Sequence, residues 1–328
     1  MEYNALALWF GVQRFSFVAF FGVQRFSFVA LFGVQLRLSS YFISLIKMTL
    51  HQENSQIDRY AVMGNPIAHS KSPLIHAAFA QQTGQVLQYE AILVGKDELT
   101  QAVQTFQLSG GKGLNITIPF KQAACALADQ CSERAERAGA VNTLWFDEQG
   151  VYGENTDGVG LVRDLVQNQG CQIEGRRVLI LGAGGAVRGV LEPLLAEIPA
   201  QCVIANRTVS KAESLATLFG TFGKIAASSY EALQGESFDL IINGTSTSLQ
   251  GKLPALPDSL LGECCYDMMY ASSPTLFMQW ANKQGSAFVL DGLGMLVEQA
   301  AESFYLWRGL KPETAQVIQN VRSLIVNC

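Results

Sequence analysis

The chain has 328 residues, of which 49% are hydrophobic and 16% are charged, and its formal net charge is −5. This length favours two domains, and the composition supports sizeable cores and excludes a disordered chain. The acidic balance without a basic cluster argues against nucleic acid as a partner, and seven scattered cysteines without paired spacing indicate reduced thiols in a cytoplasmic protein rather than a zinc or disulfide framework.

Residues 1–47 carry a repeat that differs from the rest of the chain. The ten residues FGVQRFSFVA occur at 10–19 and again at 21–30, and an incomplete third copy begins at Phe32. Arginines interrupt the apolar runs, so no uncharged window exceeds 11 residues, whereas a membrane span needs about 18. We expect translation to begin at Met48 and the repetitive extension to be non-native or poorly ordered. A surface helix that associates with a membrane or partner is the alternative.

The part from about 55 to 156 alternates strand and helix patterns. Strands are predicted at 59–63, 89–94 and 114–119, and helices at 97–106 and 122–137. The loop GNPIAHSKSP (64–73) leads into a further helix, with Pro73 at its first position and Ser72 as its N-cap. Ser72 either acts only as this cap or joins Ser70 and the helix N-terminus in a site for a carboxylate.

Two charged residues in this part are candidates for acid–base chemistry. Lys121 follows the strand that ends at Pro119, and a lysine at the mouth of a cleft suits proton transfer better than a solvated one. Asp157 lies near the start of a helix predicted to run to about Gln169. It is either a simple helix cap or a carboxylate beside Lys121 that shares a substrate hydroxyl with it.

The part from about 158 to 291 has the pattern of a Rossmann-type fold. Apolar strand patterns at 178–182, 202–205, 224–227, 238–243, 264–268 and 286–290 alternate with helical segments, which predicts a doubly wound parallel sheet. The first strand runs into the glycine turn Gly182-Ala183-Gly184-Gly185-Ala186. This turn suits a pyrophosphate, although Val187 occupies the third glycine position of the full fingerprint.

The second of these strands indicates which nucleotide binds. An NAD site places an acidic residue at its end for the ribose 2′-hydroxyl. Here the strand ends in Asn206-Arg207-Thr208, with Lys211 one turn further on. Two cations and a hydroxyl suit a 2′-phosphate, so the expected cofactor is NADP.

These motifs together resemble the shikimate dehydrogenase family across essentially all of 58–325. GNPIAHSKSP, NITIPFK, GAVNT, NTDG, GAGGA, NRT, YDMMY and DGLGML stand in the family's order and approximate spacing. The resemblance implies reversible reduction of 3-dehydroshikimate to shikimate by NADPH, a step of chorismate and aromatic amino acid biosynthesis. It also implies an α/β substrate domain (48–157 plus 292–328), a Rossmann-type NADP domain (158–291), and a cleft between them.

The resemblance also implies roles for individual residues. Lys121 and Asp157 match the catalytic pair. The implied substrate-binding residues are Ser70, Ser72, Thr117, Asn142, Asp157, Tyr270 and Gln299. The implied cofactor-binding residues are Gly182, Ala183, Gly184, Gly185, Ala186, Asn206, Arg207, Thr208, Lys211, Met268 and Gly292.

Two departures from the family pattern and three rivals remain at this point. Lys211 replaces a frequent arginine, and the segment from Gly244 to Ser248 departs from the usual Ala-Thr-Ser-x-Gly. The rivals are a quinate/shikimate dehydrogenase of broader substrate and cofactor use, a non-catalytic dinucleotide-binding regulator, and a form tethered to membranes through 1–47. We expect no metal, no nucleic acid or membrane partner, and a monomer or homodimer.

Overall fold

Two six-stranded sheets organise the residues that the computed structural model describes, which are 57–245, 247 and 252–326. Both sheets belong to one compact unit. The repeat in 1–47 and the proposed start at Met48 lie outside the described residues, so these expectations stay predictions. Among the described residues, no helix is both long enough and apolar enough to cross a membrane.

The first sheet has the strand order β2-β1-β3-β5-β6-β4. Strand β1 pairs in parallel with β2 and β3, whereas β5 is antiparallel to both β3 and β6. Its strands and the helices of this part are β1 (Asp58–Gly64), α1 (Ser72–Thr83), β2 (Leu87–Leu93), α2 (Leu99–Leu108), β3 (Gly111–Ile116), α3 (Lys121–Leu127), β4 (Gln130–Cys131), α4 (Glu133–Ala138), β5 (Thr143–Asp147) and β6 (Gly150–Glu154).

The second sheet is wholly parallel, in the order β12-β11-β10-β7-β8-β9. The order reverses between β7 and β10, which is the position where doubly wound sheets bind nucleotides. The elements of this part are α5 (Asp157–Arg163, followed by one π-type turn over Asp164–Asn168), β7 (Arg177–Leu181), α6 (Gly185–Ala196), β8 (Gln201–Ala205), α7 (Val209–Phe219), β9 (Ile225–Ser228), β10 (Ser237–Asn243), β11 (Leu261–Asp267), α8 (Leu276–Lys283), β12 (Phe288–Asp291), α9 (Leu293–Arg308) and α10 (Ala315–Val326).

The burial of the second sheet explains its sequence pattern. Residues 178–181 are all fully buried because helices cover both faces of the sheet, and such strands are apolar throughout. Helix α6 buries Val187, Val190, Leu191 and Leu194, which is the apolar stripe of a helix with one inward face. The predicted fold class is confirmed.

The helix predicted over 122–137 is wrong, because the structure divides this segment. Helix α3 ends at Leu127, the short strand β4 pairs with β6, and α4 begins at Glu133. Ser132 is the N-cap of α4, and its Oγ accepts a hydrogen bond from the Ala135 amide at 3.1 Å. Pairing with β6 and a new cap therefore outweigh the helical propensity of the intervening residues.

Helix α4 and helix α6 connect the two sheets. The Nε atom of Arg188, in α6, donates to the carbonyl oxygen of Ala138 at 2.7 Å. Arg137 of α4 also forms an ion pair with Glu192 of α6. These contacts place the turn that follows β7 beside the first sheet, so the candidate site lies between the two sheets.

Candidate active site

Lys121 and Asp157 are the first residues of α3 and α5, and the fold brings their side chains together. The Nζ atom of Lys121 lies 2.6 Å from Oδ2 of Asp157. The lysine side chain is 19% exposed and that of the aspartate 5%. Thr156 occupies the N-cap position of α5 without a side-chain capping bond. The interpretation of Asp157 as a simple helix cap is therefore wrong, because its carboxylate contacts other side chains.

Asn142 holds the second oxygen of this carboxylate. Its Oδ1 atom accepts a hydrogen bond from the backbone amide of Thr156 at 2.8 Å, and this donor fixes the orientation of the Asn142 amide group. The Nδ2 atom therefore faces Asp157 Oδ1 at 2.8 Å and Gln299 Oε1 at 3.0 Å. Four residues predicted from separate motifs thus form one contacting cluster.

Three further residues, which the sequence analysis did not single out, form a buried hydrogen-bond network that contacts this cluster. Asn115, Thr143 and Ser303 are buried. The Nδ2 atom of Asn115 donates to Thr143 Oγ1 at 3.2 Å and to Ser303 Oγ at 2.9 Å. Thr143 Oγ1 in turn donates to Asn142 Oδ1 at 3.0 Å. Available signals were the shared strand face of Asn115 and Thr117 and the helical i, i+4 spacing of Gln299 and Ser303.

Ser70 and Ser72 lie at the start of α1. The helix begins at Ser72, and Lys71 occupies the N-cap position without a side-chain capping bond, so the cap-only interpretation of Ser72 is wrong. Ser72 is buried, and its backbone amide donates to Ser70 Oγ at 3.3 Å. Both hydroxyl groups are thus placed beside the N-terminus of α1, which suits an anionic group.

The remaining two predicted substrate residues lie on different elements. Thr117 follows β3 and is half-buried. Tyr270 follows β11, is half-buried, and packs against the apolar cluster formed by α1, α9 and α10. Burial and the nearby carboxylate of Asp291 raise the pKa of the Tyr270 phenol. A substrate contact for either residue stays a prediction.

The glycine turn stands where the strand order of the second sheet reverses. Gly182 has φ +105°, a conformation that favours glycine. Its amide donates to the Ala205 carbonyl oxygen at 2.8 Å, and the Gly244 amide donates to the Leu181 carbonyl oxygen at 2.9 Å. The turn is thereby tied to the ends of β7, β8 and β10.

The space in front of this turn fits a pyrophosphate. A Cβ atom built on Gly184 or Gly185 would have no heavy atom within 4 Å. Helix α6 begins at Gly185, so its first amide groups, which have no partner within the helix, are available to an anion. Ala183 and Ala186 instead pack against the core and support the turn from behind.

The side chain of Val187 accounts for the glycine at position 244. Its side chain is fully buried. A Cβ atom on Gly244 would lie 2.4 Å from Cγ2 of Val187, far inside contact distance. The valine at the third fingerprint position therefore requires a glycine at 244, where the family usually has alanine.

The four predicted adenosine-phosphate residues cluster at the end of β8. The Nδ2 atom of Asn206 donates to the Thr208 carbonyl oxygen at 2.9 Å. Arg207, Thr208 and Lys211 are exposed, and residues 206–211 include no carboxylate. Two exposed cations without an acidic neighbour in this segment fit the doubly charged 2′-phosphate of NADP better than a free ribose hydroxyl.

Met268 and Gly292 lie together at the ends of β11 and β12. The Met268 amide donates to the Asn243 carbonyl oxygen at 3.0 Å, and the Gly292 amide donates to the Met269 carbonyl oxygen at 3.1 Å. A Cβ atom on Gly292 would lie 2.2 Å from the Met268 carbonyl oxygen, so only glycine permits this approach. Their predicted position beside the nicotinamide stays a prediction.

Three family models match the chain. They are the shikimate dehydrogenase substrate binding domain over 62–144, shikimate/quinate 5-dehydrogenase over 164–250, and the shikimate 5′-dehydrogenase C-terminal domain over 292–322.

Curated relatives and solved structures agree with these models. An NADP(+) shikimate dehydrogenase of Alkalilimnicola ehrlichii is 58% identical over 267 residues, which covers 81% of this chain and 98% of the relative. A shikimate 5-dehydrogenase structure of Thermus thermophilus, in complex with NADP(H) and shikimate, has a TM-score of 0.71 at 33% identity and covers 81% and 99% of the two chains. An Ael1 enzyme of Pseudomonas putida has a TM-score of 0.76 at 48% identity, with 80% and 97% covered.

Proposed function

The chain belongs to the shikimate dehydrogenase family, and we propose that its Lys121–Asp157 pair performs the proton transfer of the reaction. The enzyme is an NADP-dependent oxidoreductase that catalyses the reversible reduction of 3-dehydroshikimate to shikimate in aromatic biosynthesis. The observation that carries the proposal is the 2.6 Å contact between Lys121 and Asp157, beside the amides of Asn142 and Gln299.

The cofactor supplies the hydride, and the protein binds and orients both reactants. In our proposal, the amides at the start of α6 bind the pyrophosphate, and Arg207 and Lys211 bind the 2′-phosphate. Met268 and Gly292 would flank the nicotinamide ring. The open space before Gly184 and Gly185 supports this arrangement.

Lys121 acts on the oxygen atom that receives the proton. Negative charge develops on the carbonyl oxygen of 3-dehydroshikimate during reduction, and the Lys121 ammonium stabilises this charge and donates the proton. In the oxidation of shikimate, the neutral amine takes the proton back. General acid–base help of this kind contributes roughly 10²–10⁴-fold.

The residues around the pair orient it and the substrate. Asp157 holds the Lys121 ammonium and binds a neighbouring substrate hydroxyl. Because Asn142 holds the other carboxylate oxygen, Asp157 keeps one orientation. Asn142, Gln299, Thr117 and Tyr270 supply further polar contacts to the ring, and the hydroxyls of Ser70 and Ser72 bind the carboxylate.

The wider organisation of the chain follows from this assignment. We propose that 48–157 and 292–328 form the substrate domain and that 158–291 form the NADP domain. We also propose a cytoplasmic monomer or homodimer. The six cysteines that the described residues contain are free thiols, which supports a reducing compartment.

The nearest rival is a quinate/shikimate dehydrogenase, and one assay separates the two. Oxidation of shikimate and of quinate is followed at 340 nm with NADP and with NAD. We expect high catalytic efficiency with shikimate and NADP, whereas equal efficiencies with NADP and NAD would favour the rival. No oxidation of either substrate would favour a non-catalytic dinucleotide-binding protein.

The same assay tests the extension. We expect chains that begin at Met1 and at Met48 to be equally active. If only the longer chain were active, or if the longer chain were recovered in a membrane fraction, the proposal that 1–47 plays no part would be contradicted.

A further inference from the structure

Tyr89 lies on the edge strand β2, and its side chain reaches across β1 to the buried network under the active site. Its hydroxyl group donates to Asn115 Oδ1 at 2.7 Å. Because Oδ1 accepts from the phenol, the Nδ2 atom of Asn115 must face Thr143, Ser303 and the Asn142 carbonyl oxygen. The phenol therefore sets the orientation of the Asn115 amide group.

The ring of Tyr89 is held in place by a histidine. The ring of His76 is fully buried in α1 and stacks on that of Tyr89 with a centroid distance of 4.1 Å and an interplanar angle of 7°. Burial lowers the pKa of His76 to about 3, against a smaller opposing effect of the Asn115 side chain. The imidazole of His76 is therefore neutral at physiological pH, and its stacking contact fixes the direction in which the Tyr89 hydroxyl points.

The stack also ties the phenol to the predicted carboxylate site, because His76 lies in α1 one turn after Ser72. Burial raises the pKa of Tyr89 well above its ordinary value, so the phenol keeps the proton that it donates to Asn115 Oδ1. Ser72 is one of the two serines assigned to the substrate carboxylate. Tyr89 therefore stands between the residues at the carboxylate end and the buried amide network that supports Asp157.

We infer that Tyr89 is a positioning residue for shikimate, which fixes the distance and orientation between the carboxylate end of the substrate site and the Asn115–Asn142–Asp157 end. The inference rests on the proposed function. A substrate that bridges the two ends gains affinity only while the Asn115 amide is held in one orientation. The nicotinamide cofactor binds to the other sheet, so its affinity does not depend on the orientation of the Asn115 amide.

The test is the substitution Tyr89→Phe, which keeps the stack on His76 and removes only the hydroxyl. Asn115 Oδ1 then loses its donor, so the amide group leaves its single orientation in the free enzyme, and restoring that orientation on binding weakens affinity roughly 5- to 100-fold. We expect the KM for shikimate to rise within this range. The KM for NADP should stay within about twofold, and kcat should change less than the KM for shikimate.

A matched control is Tyr152→Phe. The hydroxyl of Tyr152 also contacts an amide oxygen, Gln149 Oε1 at 3.3 Å, and its ring also stacks on an aromatic ring, that of Trp145 at 5.3 Å. This tyrosine lies on β6, and the hydrogen bond of its hydroxyl is exposed to solvent. We expect Tyr152→Phe to leave both KM values unchanged.

Two results would overturn the inference alone. One is an active wild-type enzyme whose KM for shikimate is unchanged by Tyr89→Phe. The other is an equal rise of the KM for shikimate and for NADP together with a lower unfolding temperature, which would indicate general loosening. Wild-type protein that fails to oxidise shikimate would overturn the proposed function and this inference with it.

Discussion

Substitution of Gly244 by alanine tests the packing that sets the nucleotide turn. The new Cβ atom would lie 2.4 Å from Val187 Cγ2 and 3.3 Å from both the Leu181 carbonyl oxygen and the Met268 sulfur. Carbon atoms in favourable contact stand about 3.5–4.0 Å apart. Val187 or the Gly244 loop must therefore move by about 1 Å.

The magnitude follows from how little room Val187 has. Its side chain is fully buried in α6, and a valine in a helix has one strongly preferred rotamer, so it cannot rotate away. Overpacking of this kind costs about 1–3 kcal/mol. Because Val187 lies in the first turn of the helix whose N-terminus faces the pyrophosphate, we expect part of this cost to weaken NADP binding.

The assay is a double-mutant cycle of Gly244→Ala, Val187→Ala and the pair, measured by urea unfolding with and without NADP. Val187→Ala alone removes two buried carbons and should cost roughly 1–2 kcal/mol at about 0.8 kcal/mol per methylene. The double variant should be no less stable than Val187→Ala alone, because the smaller side chain makes room for the new methyl group. The expected coupling energy is about 1–3 kcal/mol in favour of the pair.

Gly184→Ala is the matched control. Its Cβ atom would meet no heavy atom within 4 Å, and its φ of −89° is open to alanine. We expect unfolding in the absence of NADP to change by less than about 0.5 kcal/mol, while NADP affinity falls because the methyl group occupies the pyrophosphate space. Additive effects in the cycle, or a Gly244→Ala variant as stable as the wild type, would refute the packing argument.

Three further predictions concern the reaction, the cofactor and pH. Lys121→Ala should lower kcat roughly 10²–10⁴-fold with a much smaller change in KM. The control is Lys112→Ala, which replaces an exposed lysine on β3. Normal turnover by the Lys121→Ala variant would show that Lys121 does not transfer the proton. Arg207→Ala should lower kcat/KM roughly 10-fold with NADPH but little with NADH, and equal losses with both would contradict the 2′-phosphate contact. The buried ring of His76 stays neutral down to a pKa of about 3, whereas the unfolded chain takes up a proton below about 6.5. Acid therefore favours unfolding. Between pH 7 and pH 5 the wild type should lose about 2 kcal/mol more free energy of unfolding than the His76→Phe variant, as measured by urea titrations. Equal losses in the two proteins would show that His76 is not the group responsible.

The sequence alone determined the nucleotide half of this protein. The apolar runs, the glycine turn and the Arg207-containing segment each lie within a few consecutive residues, and a parallel sheet buried on both faces leaves a continuous apolar pattern. The doubly wound parallel sheet and the preference for NADP followed without knowledge of long-range contacts, whereas the strand order came from the structure. The assignment of Lys121 and Asp157 came from the family resemblance, because local pattern left both residues with a second interpretation.

Only the tertiary structure brought the catalytic side together. Asn115, Thr143 and Ser303 meet under Asn142 although they come from β3, β5 and α9, and side chains far apart in the chain leave no periodic signal. Tyr89 and His76 join them through stacking and a single hydrogen bond. Likewise, glycine at 244 appeared as an unexplained departure until the buried Val187 side chain showed that it leaves no space for a methyl group.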